Sequence, residues 1–150
     1  MITVVDVETS WQVTDTGGYD PSPYHPDNIL VSVGINDEYY FTNHSERIDD
    51  GCYHNIQSIL DKTTLLVGHN IKFDLMWLIE AGFKYTGKVY DTMLGEYILN
   101  RGIRKSLTLE MSCRRRRIGS KDNRIKEFTD RGIPFQNIPA NVVEEYGRMD

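Results

Sequence analysis

Three groups of residues in this 150-residue chain have the types and spacing to do chemistry. Asp6 and Glu8 stand two apart in the run Thr3-Val4-Val5-Asp6-Val7-Glu8. In an extended strand that spacing puts both side chains on one face. Burying two carboxylates together is costly unless a cation neutralises them. The pair is therefore a candidate divalent-cation edge; the plain alternative is a strand end with Glu8 solvated. The second group is His69-Asn70-Ile71-Lys72-Phe73-Asp74. Asn70 reads as a natural N-cap, and Asp74 falls near the first turn, where the helix dipole favours an anion. Capping and dipole compensation account for both without any function, and Phe73 reads equally well as core. The third group is Tyr146-Gly147-Arg148-Met149-Asp150. A spacing of four on a helix puts Tyr146 and Asp150 on one face, shared with Val143, so that face points inward. An inward Asp beside a Tyr needs a partner, unless the tail helix simply ends exposed.

Something must bring these distant groups together. Ile2–Val7 is short and β-branched and reads as a buried strand. Residues 11–27 carry Gly17-Gly18, Pro21, Pro23 and Pro26 and read as a loop. Ile29–Ile35 predicts a second strand, Asn36-Asp37 a hairpin turn, and Tyr39–Thr42 an antiparallel third strand. A helix over about 52–61 precedes a fourth strand, Thr64–Gly68. Ile71–Ala81 is amphipathic and stops at Gly82. Tyr90-Asp91 ends a short fifth strand. Helices follow over Thr92–Leu99 and Leu107–Cys113. Residues 114–136 read mostly as loop, with a short helix near Arg124–Phe128. Pro139 suits the first turn of a last helix running to the chain end. The order β-β-β-α-β-α-β-α predicts an α/β domain, three layers around a mixed sheet.

Composition narrows the functions. With 11% aromatic residues the chain is not of disordered type. No apolar stretch approaches the roughly 18–20 residues that span a bilayer. The two acids within the first eight residues are unlike a signal peptide. Cys52 and Cys113 stand far apart, which excludes a zinc ribbon or a disulfide scaffold and leads us to expect a reducing, cytoplasmic setting. The net charge is −5, but residues 101–131 hold 11 of the 17 Lys and Arg and only four of the 22 Asp and Glu. An acidic body can gather cations while a basic segment holds a polyanion; an ordinary solvated loop has the same composition.

Taken in order, Asp6-x-Glu8, Asn70-x-x-Phe73-Asp74 and Tyr146-x-x-x-Asp150 resemble the three motifs of the DEDDy 3′–5′ exonucleases. The chain is most similar to the proofreading domain of family A (polymerase I-like) DNA polymerases, phage enzymes included. The stretch from Tyr90 to Asn100 and the segment Ser106-Leu107-Thr108-Leu109 add to the likeness. Position 145 is Glu rather than His, which resembles the Tyr subgroup. The resemblance covers the whole chain. It implies an RNase H-like domain with a mixed five-stranded sheet flanked by helices. It also implies hydrolysis that releases nucleoside 5′-monophosphates from DNA 3′ ends with two Mg²⁺ or Mn²⁺ ions.

By that resemblance the catalytic residues are Asp6, Glu8, Asp74, Tyr146 and Asp150. The four carboxylates would hold the metals. Tyr146, a phenol with an ordinary pKa near 10, would orient the water. Thr9, Ser10, His69, Asn70, Lys72 and Phe73 would contact the terminal nucleotides, Phe73 by packing on sugar or base. Arg114–Arg117 would reach DNA upstream or a partner domain. Asp91 reads as a helix cap. The implied partners are a single-stranded DNA 3′ end and a polymerase domain, with no membrane. For a phage protein the setting would be the host cytoplasm. The expectation is a single exonuclease domain over 1–150, trimmed before the last-motif helix is complete and lacking the polymerase portion. Two other readings stay open: an exoribonuclease like the ribonuclease D relatives, and a non-catalytic module that binds nucleic acid or docks a polymerase.

Overall fold

The strand that carries the first two acids lies at the middle of the fold. In a computed structural model, which describes residues 1–119 and 124–149, β1 (Ile2–Thr9) alternates as its sequence dictates. Thr3, Val5, Val7 and Thr9 are buried, while Asp6 and Glu8 share the other face, each half-buried. Two short strands, β2 (Gln12–Val13) and β3 (Tyr19–Asp20), pair as a small hairpin in the segment predicted as loop. β4 (Leu30–Ile35) runs antiparallel to β1, and β5 (Glu38–Phe41) antiparallel to β4. The turn between them is Asn36-Asp37, with Asn36 at φ 52°, a left-handed conformation that Asn tolerates better than most residues. β6 (Leu65–Gly68) and β7 (Lys88–Asp91) add in parallel on the other side. The main sheet has the order β5-β4-β1-β6-β7 and is mixed and five-stranded, as expected.

Helices cover both faces. α1 (Cys52–Lys62) and α2 (Ile71–Glu80) supply Ile56, Leu60, Ile71, Trp77 and Leu78 to the core under Val5, Val7, Val33 and Ile35. On the opposite face, Tyr39 and Phe41 of β5 pack with Ile125 of α5 (Arg124–Thr129), Ile138, and Val143 of α6 (Ala140–Gly147). Strand register puts this second core on the same sheet face as the two acids: Asp6 pairs with Gly34, and Gly34 with Tyr39. α3 (Thr92–Leu99) and α4 (Leu109–Arg116) follow β7.

Three helix boundaries differ from expectation by more than one residue, and β1 runs two residues past the expected Val7. α4 begins at Leu109, not Leu107, because Thr108 is the N-cap and accepts the Met111 N–H at 3.4 Å. It continues through Arg116, into the segment predicted as loop. α6 stops at Gly147, a poor helix former, so the last helix does not run to the chain end. Asp150 lies outside the described residues.

Candidate functional site

β1 outruns β6. Their pairing ends at Val4 with Val67, and beyond it the Val7 N–H donates to Asp74 Oδ1 at 3.1 Å. The second-group acid is therefore clamped onto β1 at the residue between Asp6 and Glu8. Asp74 is only 3% exposed. Burial, then the neighbouring Asp6 carboxylate, pushes its pKa up to about 7. Compensation of the α2 dipole would have stabilised its charge, so desolvation and like charge outweigh the dipole here.

Asn70 does occupy the N-cap position of α2, but it does not cap as expected. Its backbone is left-handed, at φ 62° and ψ 41°, and its side chain makes no capping bond. The Asn70 N–H instead donates to Asp91 Oδ1 at 3.0 Å. That same oxygen accepts the Met93 N–H at 2.9 Å and so caps α3, the capping role expected of Asp91. Asn70 is left exposed at the mouth of the site, in a left-handed conformation that Asn tolerates.

The remaining residues fall around this point. Asp6 stands between two clefts. One, of about 550 Å³, is lined by Asp6, Gly34, Tyr39, Gly147 and Met149. The other, of about 510 Å³, is lined by Asp6, His69, Asn70, Met93, Leu107 and Thr108. His69 Nε2 faces the Leu107 carbonyl at 2.7 Å and therefore donates to it, while Nδ1 lies 2.9 Å from Thr92 Oγ1. Both ring nitrogens are engaged, so His69 holds this cleft wall in place. Lys72 is exposed, and Phe73 is partly buried against the first core. Thr9 is buried, and Ser10 is wholly so, its hydroxyl accepting the Ile29 N–H at 2.7 Å. Tyr146 is half-buried in the second core, its ring centroid 6.2 Å from that of Phe135.

Among the described residues, no three His, Cys, Asp or Glu side chains gather closely enough to hold a metal on their own. The donor chemistry nevertheless fits a hard cation: a carboxylate raised in pKa first by its burial and then by the second carboxylate beside it. The basic segment divides in two. Arg115 Nη2 and Arg116 Nε reach Glu96 of α3 at 3.3 and 2.7 Å, which holds that carboxyl below its usual pKa range. Arg114 and Arg117 stay on the exposed side. Sequence reasoning missed Tyr39, buried beside both acids. Its signal was weak: the hairpin turn pairs it with Gly34, but only the long-range pairing of β1 with β4 brings it to Asp6.

Comparison with known proteins agrees with this fold. Among solved structures, the family B DNA polymerase from the hyperthermophilic archaeon Pyrobaculum calidifontis is similar, with a TM-score of 0.57 at 16% identity. The match covers 99% of this chain and 23% of that one, so the chain spans under a quarter of the polymerase, and at this identity the likeness concerns the fold alone. No curated protein matches the chain. No described helix is long and apolar enough to cross a membrane. A family model described as 3′–5′ exonuclease matches residues 14–110, a span that contains Asn70, Phe73 and Asp74 and the segment from Tyr90 to Asn100. With about two-thirds of its length matched, and with the α/β architecture of an RNase H-like exonuclease, the chain belongs to the 3′–5′ exonuclease family.

Proposed function

We propose that this chain is the DEDDy-type editing unit of a DNA polymerase. It removes nucleoside 5′-monophosphates from the 3′ end of single-stranded DNA. The observation that supports this most is Asp74, a buried carboxylate bonded to the strand backbone between Asp6 and Glu8 and pushed up to about 7. A carboxylate so placed gains most from a divalent cation. Asp6, Glu8 and Asp74 are the candidate ligands, with Asp150 joining them by resemblance. Bound Mg²⁺ or Mn²⁺ would supply a water activated at neutral pH and charge stabilisation for the leaving 3′ oxygen.

The chain's own groups do the rest. Tyr146, on the last turns of α6, orients the attacking water. Asn70 and the cleft lined by His69, Met93 and Leu107 accept the terminal nucleotide. By the same resemblance Phe73 borders it, whereas Thr9, buried on the face of β1 opposite the two acids, serves the strand end. Lys72, exposed in the first turn of α2, meets a phosphate. Ser10, spent on the Ile29 backbone, acts by fixing the end of β1 rather than by touching the substrate.

The test is release of mononucleotide from 3′-labelled single-stranded DNA, with the matching RNA alongside, in Mn²⁺. The expected result is release from DNA, slowed on the order of 10²-fold or more by Asp6→Ala. Preferential degradation of the RNA would favour the exoribonuclease reading. Equal rates for wild type and Asp6→Ala would remove Asp6 from the chemistry.

A further inference from the structure

Tyr39 has no role in the reading above, yet it stands in the same cross-strand row as Asp6. Asp6 on β1 pairs with Gly34 on β4, which pairs with Tyr39 on β5. Gly34 has no side chain to separate them. A Cβ there would lie 3.4 Å from the Tyr39 ring and 3.7 Å from the Asp6 carbonyl oxygen, so the ring lies across Gly34. Its hydroxyl then reaches Ser32 Oγ at 2.7 Å, and Ser32 is the cross-strand partner of Glu8. Ser32 is fully buried and Tyr39 nearly so. The other side of the ring meets α6. A Cβ on Gly147 would clash with the hydroxyl edge of the ring, closest to Cε2, 2.6 Å from its oxygen and 2.8 Å from Cζ. Gly147 directly follows Tyr146. One aromatic ring therefore lies between Gly34, the cross-strand partner of Asp6, and the α6 turn that carries Tyr146, on the wall of the cleft that Asp6, Tyr39 and Gly147 share.

We propose that Tyr39 is a positioning residue for the hydrolysis: its ring is the spacer that sets how far the Tyr146 turn of α6 stands from Asp6 and Glu8. The proposal rests on the exonuclease reading above. Two neighbouring features support it. Glycine at 147 lets the helix settle directly on the ring, and glycine at 34 lets the ring settle directly on the sheet. The Ser32 bond fixes the ring's direction in its plane. Burial, with the Glu8 carboxylate nearby, raises the pKa of the phenol, so the hydroxyl stays protonated.

The experiment compares wild type, Asp6→Ala, Tyr39→Phe, Tyr39→Leu and Gly147→Ala. For each we would measure kcat for Mn²⁺-dependent nucleotide release, the affinity for a single-stranded oligonucleotide, and the unfolding midpoint. A spacer role predicts that Phe, which keeps the ring, retains kcat within about threefold. Tyr39→Leu and Gly147→Ala should each lose at least about 10-fold in kcat, since a shift near 1 Å costs up to about 10²-fold. Oligonucleotide affinity should stay within about twofold below the unfolding midpoint. Should Tyr39→Leu not fold, Gly147→Ala, which adds one methyl, decides alone. Wild-type kcat in Gly147→Ala, or kcat and affinity falling together in step with the midpoint, would overturn the spacer role. In either case an inactive Asp6→Ala beside an active wild type leaves the exonuclease reading standing. A wild type no faster than Asp6→Ala sinks that reading, and the spacer role with it.

Discussion

At the scale of the residue, Asp74 is where the physics is least ambiguous. A carboxyl whose folded pKa is about 7 binds its proton more tightly in the folded chain than in the unfolded one. Its contribution to stability is therefore full below about pH 4 and is lost as pH rises through about 7. Asp74→Asn, which keeps the shape without the charge, should flatten this fall. Above pH 7 the variant should be more stable than the metal-free wild type, by up to about 4 kcal/mol. Denaturant titrations of both proteins at pH 5 and pH 8 in chelator check it; an equal pH dependence in the two would remove Asp74 as the cause. Mn²⁺ at pH 8 should restore stability to wild type far more than to the variant. Tyr146→Phe should slow nucleotide release while leaving Mn²⁺ affinity unchanged. If Mn²⁺ affinity falls instead, Tyr146 supports the ligands rather than the water.

At the scale of the element, α3 and α4 are joined by one acid. Glu96 is the one buried residue of α3, and it is held by two adjacent arginines of α4. Leu94, Tyr97 and Ile98 of α3 are meanwhile exposed. Glu96→Ala should lower the unfolding midpoint and loosen the Leu107–Thr108 wall of the cleft, whereas Arg114→Ala should leave the midpoint unchanged. Thermal melts of the two variants check this, and equal midpoints would show the clasp to be idle. Periodicity alone could not find this clasp, because the helix is inverted: its apolar side chains point outward and its acid inward. Elsewhere the elements were legible. β1 follows from the β-branched run Ile2–Val7, and α2 from the helical spacing of Ile71, Trp77 and Leu78, with Gly82 as the stop. The β2–β3 hairpin was hidden by the Gly and Pro residues around it, because two-residue strands leave no pattern. The true start of α4 depended on one hydroxyl, that of Thr108. The Asn70 conformation depended on Asp91, 21 residues away, and no local rule for capping could supply that.

At the scale of the whole molecule, acidic and basic side chains are concentrated in different segments of the chain. The fold gathers acids at the end of β1, while Arg101, Arg104, Lys105, Arg114 and Arg117 are exposed on the basic segment. If that segment follows the strand away from its 3′ end, oligonucleotide binding must weaken with salt. Each phosphate contact removed should reduce the slope of log K against log salt by about 0.7. Arg104→Ala with Lys105→Ala should lower the slope and leave kcat unchanged; an unaltered slope would place the strand elsewhere. The motifs themselves could be read in the sequence, but their convergence could not. It requires β1 paired in parallel with β6, and α2 folded back so that Asp74 meets the Val7 N–H. The most direct test of that convergence is a crystal of the protein soaked in Mn²⁺ and examined by anomalous scattering. The account predicts an ion within about 2.0–2.3 Å of an Asp6 carboxylate oxygen, with Asp74 on the same ion or on its water. Manganese bound only elsewhere, or none at Asp6 at saturating concentration, would contradict it.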